Sequence, residues 1–388
     1  MADFTYAQRM EGLTGNAIRE IFKLLARPGI ISFAGGMPAR ETFYPDVIAG
    51  IVSDLMAERG AELLQYGATE GYAPLVEAIS GIVSGLGIDV PAGGILPVSG
   101  SQQAIDLLCK ALIDPGDTIL VEGPTFLGAL HTMRTYQANI VPVPLQDDGV
   151  DIEALEAAII KHKPKLVYLI STFQNPTGIT MSADKRRAVA ALAAKYRVAV
   201  AEDDPYRDLR YTGAPEAPIA SLAHDGYVVY MGSFSKIVSP GLRVAYVAGD
   251  PGLVRKLTIG KQAADVHSGL LNQAIVWQIM QRGLLTDWIA KSNQLHGERL
   301  AAMLEALAGV PGLEYTRPEG GLFIWATLPA GKDATALLPT ATQKGVAYIP
   351  GAHFYSAGGG ENALRLNFSA SDPERIRAGV AILREVLK

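Results

Sequence analysis

Ser233-Phe234-Ser235-Lys236 follows an apolar run directly, and Arg243 stands seven residues further on, past the turn Pro240-Gly241. Two hydroxyls, an amine and a guanidinium thus gather at the carboxyl end of a strand, where ligands of open α/β sheets bind. Read alone, the run is equally a polar loop with a solvated lysine. Asp203 and Tyr206 lie in AEDDPY, again at the end of an apolar strand. A buried carboxylate there needs a partner, because burying an unpaired charge is costly. The acids Glu202, Asp203 and Asp204 together can also be a solvated turn. Asn175-Pro176-Thr177-Gly178 follows LVYLISTFQ and, by residue type, is an ordinary turn. Ser99-Gly100-Ser101-Gln102-Gln103 opens the helical pattern AIDLLCKAL. A helix start flanked by Gly and Ser binds phosphate through backbone N–H groups and the dipole, or it is no more than a serine cap.

The elements that must position these residues alternate. Short, branched, apolar runs at 118–121, 139–143, 166–170, 197–202, 227–231 and 244–248 read as strands buried on both faces. Helical patterns lie between them near 102–112, 125–135, 151–161 and 184–196, with Asp151 and Ser182 as N-caps of the last two. Such alternation implies an α/β fold with a mostly parallel sheet between helices. The run 227–248 has no room for a crossover helix, so one of its two strands is expected to be antiparallel. Beyond residue 250, residues 270–308 read as helical. Strand candidates follow at 313–316, 322–327, 346–349 and 363–368, and a helix at 373–387, as in a smaller α+β domain. The expected division is an N-terminal segment 1–40, with a helix at 17–26, packing on the small domain and the cleft. A large domain then covers 41–280 and a small one 281–388.

The chain has 388 residues, 49% hydrophobic and 19% charged, with a formal net charge of -5. This is globular composition, and it offers no basic stripe for a nucleic acid. The single cysteine, Cys109, rules out an intrachain disulfide and reads as a small core residue. No signal-peptide pattern and no membrane-length apolar run are seen, so a cytoplasmic enzyme is expected, without metal, nucleic acid or membrane partner.

Order and spacing make the separate motifs specific. IREIFK at 18–23, FAGGMP at 33–38, LQYGATEGY at 64–72, SGSQQA at 99–104, QNPTG at 174–178, EDDPYR at 202–207, GSFSKIVSPGLR at 232–243, GGLFIW at 320–325 and ALRLNF at 363–368 run nearly the length of the chain. In this set the chain resembles the fold-type-I aminotransferases of class I/II, within them the 2-aminoadipate and kynurenine aminotransferase group. The resemblance implies a large domain with a seven-stranded, mostly parallel sheet, a homodimer with shared active sites, and the cofactor pyridoxal 5'-phosphate (PLP). It implies that Lys236 forms the Schiff base and shuttles the proton, Asp203 pairs with the pyridine nitrogen, and Asn175 and Tyr206 bond the ring's O3'. Phe126 would stack on the ring. Gly100, Ser101, Gln102, Ser233, Ser235 and Arg243 would form the phosphate site. Tyr66 would reach the phosphate in the neighbouring subunit. Arg365 would bind the substrate α-carboxylate with Asn175 and the Gly36 backbone.

The roles are chemically coherent. PLP is an electron sink, and the protein supplies orientation and charge. A lysine near other cations in a dry site has its pKa lowered toward working pH, and the planar fork of an arginine suits a carboxylate. The implied substrates are an L-α-amino acid (2-aminoadipate, glutamate, or aromatic or branched amino acids) and a 2-oxo acid such as 2-oxoglutarate. Arg19 matches a position that binds a second, distal carboxylate; Arg40 is a weaker rival. The stacking residue is Phe126 where many relatives have tyrosine, and ARETFYPD after FAGGMP is one residue longer than the usual pattern. A β-elimination lyase on the same scaffold is the alternative enzyme. A PLP-sensing regulator would need a DNA-binding domain ahead of the match, which begins by residue 18. A nucleotide-binding module is disfavoured, since no G-x-G-x-x-G follows a first strand.

Overall fold

A computed structural model describes residues 4–10, 13 and 29–388. The helix expected at 17–26 therefore lies outside the described residues. The strands are β1 (Ile31–Ser32), β2 (Ile95–Val98), β3 (Thr118–Gly123), β4 (Asn139–Gln146), β5 (Gly149–Val150), β6 (Leu166–Leu169), β7 (Ala199–Asp203), β8 (Val228–Ser233), β9 (Ala245–Ala248), β10 (Glu314–Tyr315), β11 (Phe323–Thr327), β12 (Val346–Ala347), β13 (Ile349–Pro350) and β14 (Ala363–Asn367).

The main sheet has the order β2-β9-β8-β7-β6-β3-β4-β5. Strands β4, β3, β6, β7 and β8 are parallel neighbours, and β9 is antiparallel to both β8 and β2. The missing crossover between β8 and β9 has the expected consequence. Eight strands are present where seven were expected. The extra one is the two-residue β5, which folds back on β4 across Asp147-Asp148 and is too short to show a pattern. Pro97 sits in β2, at the sheet edge, where a missing N–H costs no ladder bond. Strand β6 is buried at all four positions, as a central strand covered on both faces must be.

The helices 101–112, 127–135, 152–162 and 183–196 fall where the periodicity put them. Asp151 caps its helix by accepting from Ala154 N at 3.0 Å. Ser182 stands at the other N-cap, but its hydroxyl donates to Asp148 instead.

A second sheet, β10-β11-β14-β13, is antiparallel, and β1 pairs with β12. Its core joins Phe33 to residues of the helix Leu284–Leu307, β11, β14 and the helix Pro373–Val386. The main core surrounds the large sheet and ends on Leu322 and Phe323. No helix among the described residues is long and apolar enough to cross a membrane. Strand order reverses between β3 and β6, the switch point where open α/β sheets bind ligands.

Candidate active site

At that switch point the carboxyl ends of β6, β7 and β8 and the helix start after β2 face a cavity of about 400 Å³. It is lined by Gly36, Ser101, Gln102, Phe126, Asn175, Asp203, Tyr206, Ser233, Ser235, Lys236, Arg243 and Arg365. Residues far apart in the chain meet here: Lys236 Nζ donates to Gly36 O, 200 positions away, at 2.8 Å, and Arg365 Nη2 to Ala34 O, 331 positions away, at 2.9 Å.

The acid and the amine oppose each other electrostatically. Asp203, the last residue of β7, is buried; one carboxylate oxygen accepts from the Tyr168 hydroxyl at 2.6 Å and the other has no partner among the described residues. Burial raises Asp203 to about 7, with Asp204 adding to it and Tyr168 and Lys236 opposing. Lys236 is lowered to about 8 by burial first, then by Arg365 and Arg243, with Asp203 opposing. Tyr206 is raised by burial, and its hydroxyl accepts a long 3.4 Å contact from Asn175 Nδ2.

One end of the cavity combines a helix start with a guanidinium, an arrangement that can hold an anion such as a phosphate. The helix Ser101–Leu112 starts there, and Gly100 at its cap has φ 90°. A side chain at 100 would stand 2.1 Å from Arg243 Nη2, so glycine is required by both backbone and space. Arg243 is held by Ser99 O at 3.1 Å and Pro240 O at 3.2 Å. Ser101 Oγ is buried with no partner among the described residues. Gln102 is turned away, its amide on Gly128 O and Thr132. Ser233 Oγ accepts from Ser235 N at 3.2 Å.

The other end presents a buried guanidinium fork, whose planar geometry suits a carboxylate. Arg365 comes from β14 and stacks on Phe323, 4.1 Å from the ring centroid, and on Phe354 at 5.0 Å. Its fork donates to Asn175 Oδ1 at 2.9 Å, Ala34 O at 2.9 Å and Gly35 O at 3.2 Å. Burial lowers Arg365 to about 10, so it stays cationic at neutral pH. The Asn175 loop lies against the small sheet, because Gly178, with φ 74°, has Phe323 O and Pro318 where a Cβ would stand.

Tyr66 and Arg40 stand apart from the cavity. Tyr66 does not line the cavity: it is 81% exposed, edge-on to His267 at 6.0 Å. Arg19 lies outside the described residues. Arg40, the weaker rival, is exposed on a short turn away from the lining. Motif reading missed Tyr168, Phe354 and the carbonyls of Ala34 and Gly35. Tyr168 carried a signal, being the only hydroxyl in an otherwise aliphatic buried strand. The carbonyls carried none, since any residue supplies them.

Asp203 Oδ1, Ser101 Oγ and Arg365 Nε around this cavity, without partners among the described residues, are polar atoms that a bound group can satisfy; each costs about 1–3 kcal/mol if left buried and unpaired. An acid, an amine, an anion cradle and a carboxylate fork around one ring-sized space define a cofactor-dependent amino-group transferase. Residues 37–383 match Aminotransferase class I and II, and the chain belongs to that family. It is 40% identical over 392 residues to aromatic-amino-acid aminotransferase 1 of Thermococcus litoralis, covering 99% of this chain and 94% of the relative. It is 39% identical to a 2-aminoadipate transaminase of Thermus thermophilus, over 97% of this chain and 94% of the relative. Among solved structures, a kynurenine aminotransferase of Pyrococcus horikoshii in complex with PMP, with KYN as substrates and KYA as products, superposes with a TM-score of 0.95. That match is at 39% identity and covers 98% of this chain and 96% of the other.

Proposed function

We propose that this aminotransferase uses PLP, held by Lys236, to move the amino group of aromatic amino acids, 2-aminoadipate and kynurenine to a 2-oxo acid such as 2-oxoglutarate. The observation that carries the reading is the opposition of Lys236 and Asp203 in one cavity between a phosphate cradle and the Arg365 fork. When bound, the cofactor's protonated ring supplies the electron sink that makes an amino acid's Cα–H bond breakable.

The chain's residues do the rest. Asp203 Oδ1, unpartnered among the described residues, would pair with the ring nitrogen and favour its protonated form. Asn175 and Tyr206 would hold the ring oxygen, and Phe126 would cover a ring face. The helix start at Gly100-Ser101 with the Gln102 backbone, Ser233, Ser235 and Arg243 would anchor the phosphate. Arg365 turns its fork from Ala34 and Gly35 to the substrate carboxylate, aided by Asn175 and the Gly36 N–H. Lys236, its pKa lowered to about 8 by burial, Arg365 and Arg243, would hold the cofactor and serve as the base for the substrate Cα proton.

Breadth of substrate fits the lining, where Leu127, Ile349 and Met37 offer apolar, adaptable contact. A distal carboxylate is assigned to Arg19. Exposed Tyr66 is assigned to the partner's phosphate in a homodimer with shared sites, working in the cytoplasm. The test is borohydride reduction of the yellow protein, then peptide mapping. The phosphopyridoxyl mass is expected on Lys236; its appearance on another lysine overturns the assignment.

A further inference from the structure

Tyr168 and Asp203 are both buried and joined at 2.6 Å, hydroxyl to Oδ2. The pairing of β6 with β7 sets Tyr168 opposite Ala201, two positions before Asp203, so the ring runs along the sheet toward the strand tip. Tyr168 does not line the cavity, whereas Asp203 does, and Asp203 Oδ1 has no partner among the described residues. The other groups near this carboxylate do not donate to it: Glu122 on β3, Asp204 just past the end of β7, Tyr206 beyond it, and Lys236 after β8. Two of these are acids and oppose its charge. Burial alone favours the neutral acid, and the phenol is the one hydrogen bond favouring the anion. A short O–H···O⁻ bond is about twice as strong as a neutral one and fixes direction.

We propose that Tyr168 is a positioning residue: its hydroxyl holds Asp203 Oδ2, keeps the carboxylate ionised and aims Oδ1 at the cofactor's ring nitrogen. This rests on the assignment of Asp203 to that nitrogen. Without the phenol, forming the ion pair with the ring would first require ionising a less acidic Asp203, and cofactor affinity would fall.

The experiment is equilibrium binding of PLP to the apoprotein for wild type, Tyr168→Phe, Asp203→Asn and the double variant, across pH 5–9. Phenylalanine keeps the ring volume, and thermal melting of each apoprotein checks the fold. Tyr168→Phe is expected to raise the PLP Kd about tenfold, as loss of a hydrogen bond to a charged group does. Its acid limb of binding should move to higher pH, because the acidic group is weaker without its donor. In the Asp203→Asn background the tyrosine change should have no further effect. An equal rise in both backgrounds, or no rise in Tyr168→Phe while Asp203→Asn weakens binding, overturns the inference and leaves the Asp203 assignment standing. Unchanged binding in Asp203→Asn overturns that assignment, and the inference with it.

Discussion

Arg365 and Asn175 meet across the cleft, Nη1 of the arginine donating to Oδ1 of the asparagine at 2.9 Å. One side chain comes from the small sheet and the other from the loop after β6, so each satisfies the other across the two layers. Substrate carboxylate binding should therefore draw on both sides of the cleft. Arg365→Lys keeps the charge but loses the fork and its stacking on Phe323 and Phe354. kcat/KM for every amino donor should drop about 100-fold, ~3 kcal/mol of transition-state binding. Steady-state kinetics with an aromatic and an acidic donor will show it; an effect confined to one donor class would contradict a shared carboxylate site.

Lys236 at about 8 makes the apoprotein's reactivity a pH readout. The neutral amine is the nucleophile toward PLP, so capture should accelerate as pH rises through 8 and then level off. An ordinary lysine, near 10.4, would still be gaining at pH 10. Stopped-flow absorbance on apoprotein measures this directly.

The loop after Gly36 is pinned by the helix Leu284–Leu307 and by Ser369. Ala39 N donates to His296 Nε2 at 3.1 Å, Ser369 Oγ donates to Met37 O at 2.6 Å, and Glu41 pairs with Arg299 at 2.5 Å. His296 is fully buried and lowered to about 4 by burial and by Arg299, Glu41 opposing, so it accepts as a neutral ring. Its folded value lies below the unfolded one, near 6.5, so the unfolded chain binds the extra proton between them. Stability from this group is present above pH 6.5 and lost as pH falls toward 4, by about 3 kcal/mol in all. His296→Gln should reduce the loss of denaturation midpoint between pH 7 and 5. An unchanged pH slope would show that His296 is not its source.

How far the sequence led depended on the kind of signal. Asp203 and Lys236 drew notice as polar types following apolar runs, whereas Asn175, by type an ordinary turn residue, stood out only through the order and spacing of the motifs that carry the family resemblance. Gly100 was found because a turn into a helix has a compositional mark. β5 escaped because two residues carry no period. The grip of Tyr168 on Asp203 escaped because it depends on β6 and β7 lying side by side, a pairing that neither strand encodes alone. The hold of His296 on Ala39 joins residues 257 apart and is a property of tertiary packing.

For substrate choice, the reading places Arg19 at the distal carboxylate of diacid donors. Arg19→Ala should raise KM for 2-aminoadipate at least tenfold, since a charge-assisted hydrogen bond contributes about 1.5–3 kcal/mol, and leave leucine and phenylalanine nearly unchanged. Equal changes for both classes in parallel kinetics would remove Arg19 from the site.

The most direct test of the whole account is the visible spectrum of the purified protein through one half-reaction and back. With no acceptor, 2-aminoadipate or phenylalanine should bleach the bound cofactor band to the pyridoxamine form, and 2-oxoglutarate should restore it. Lys236→Ala should fail to complete the cycle. A protein that shows no cofactor band even after PLP is added, or whose band is untouched by every amino donor, would contradict the account.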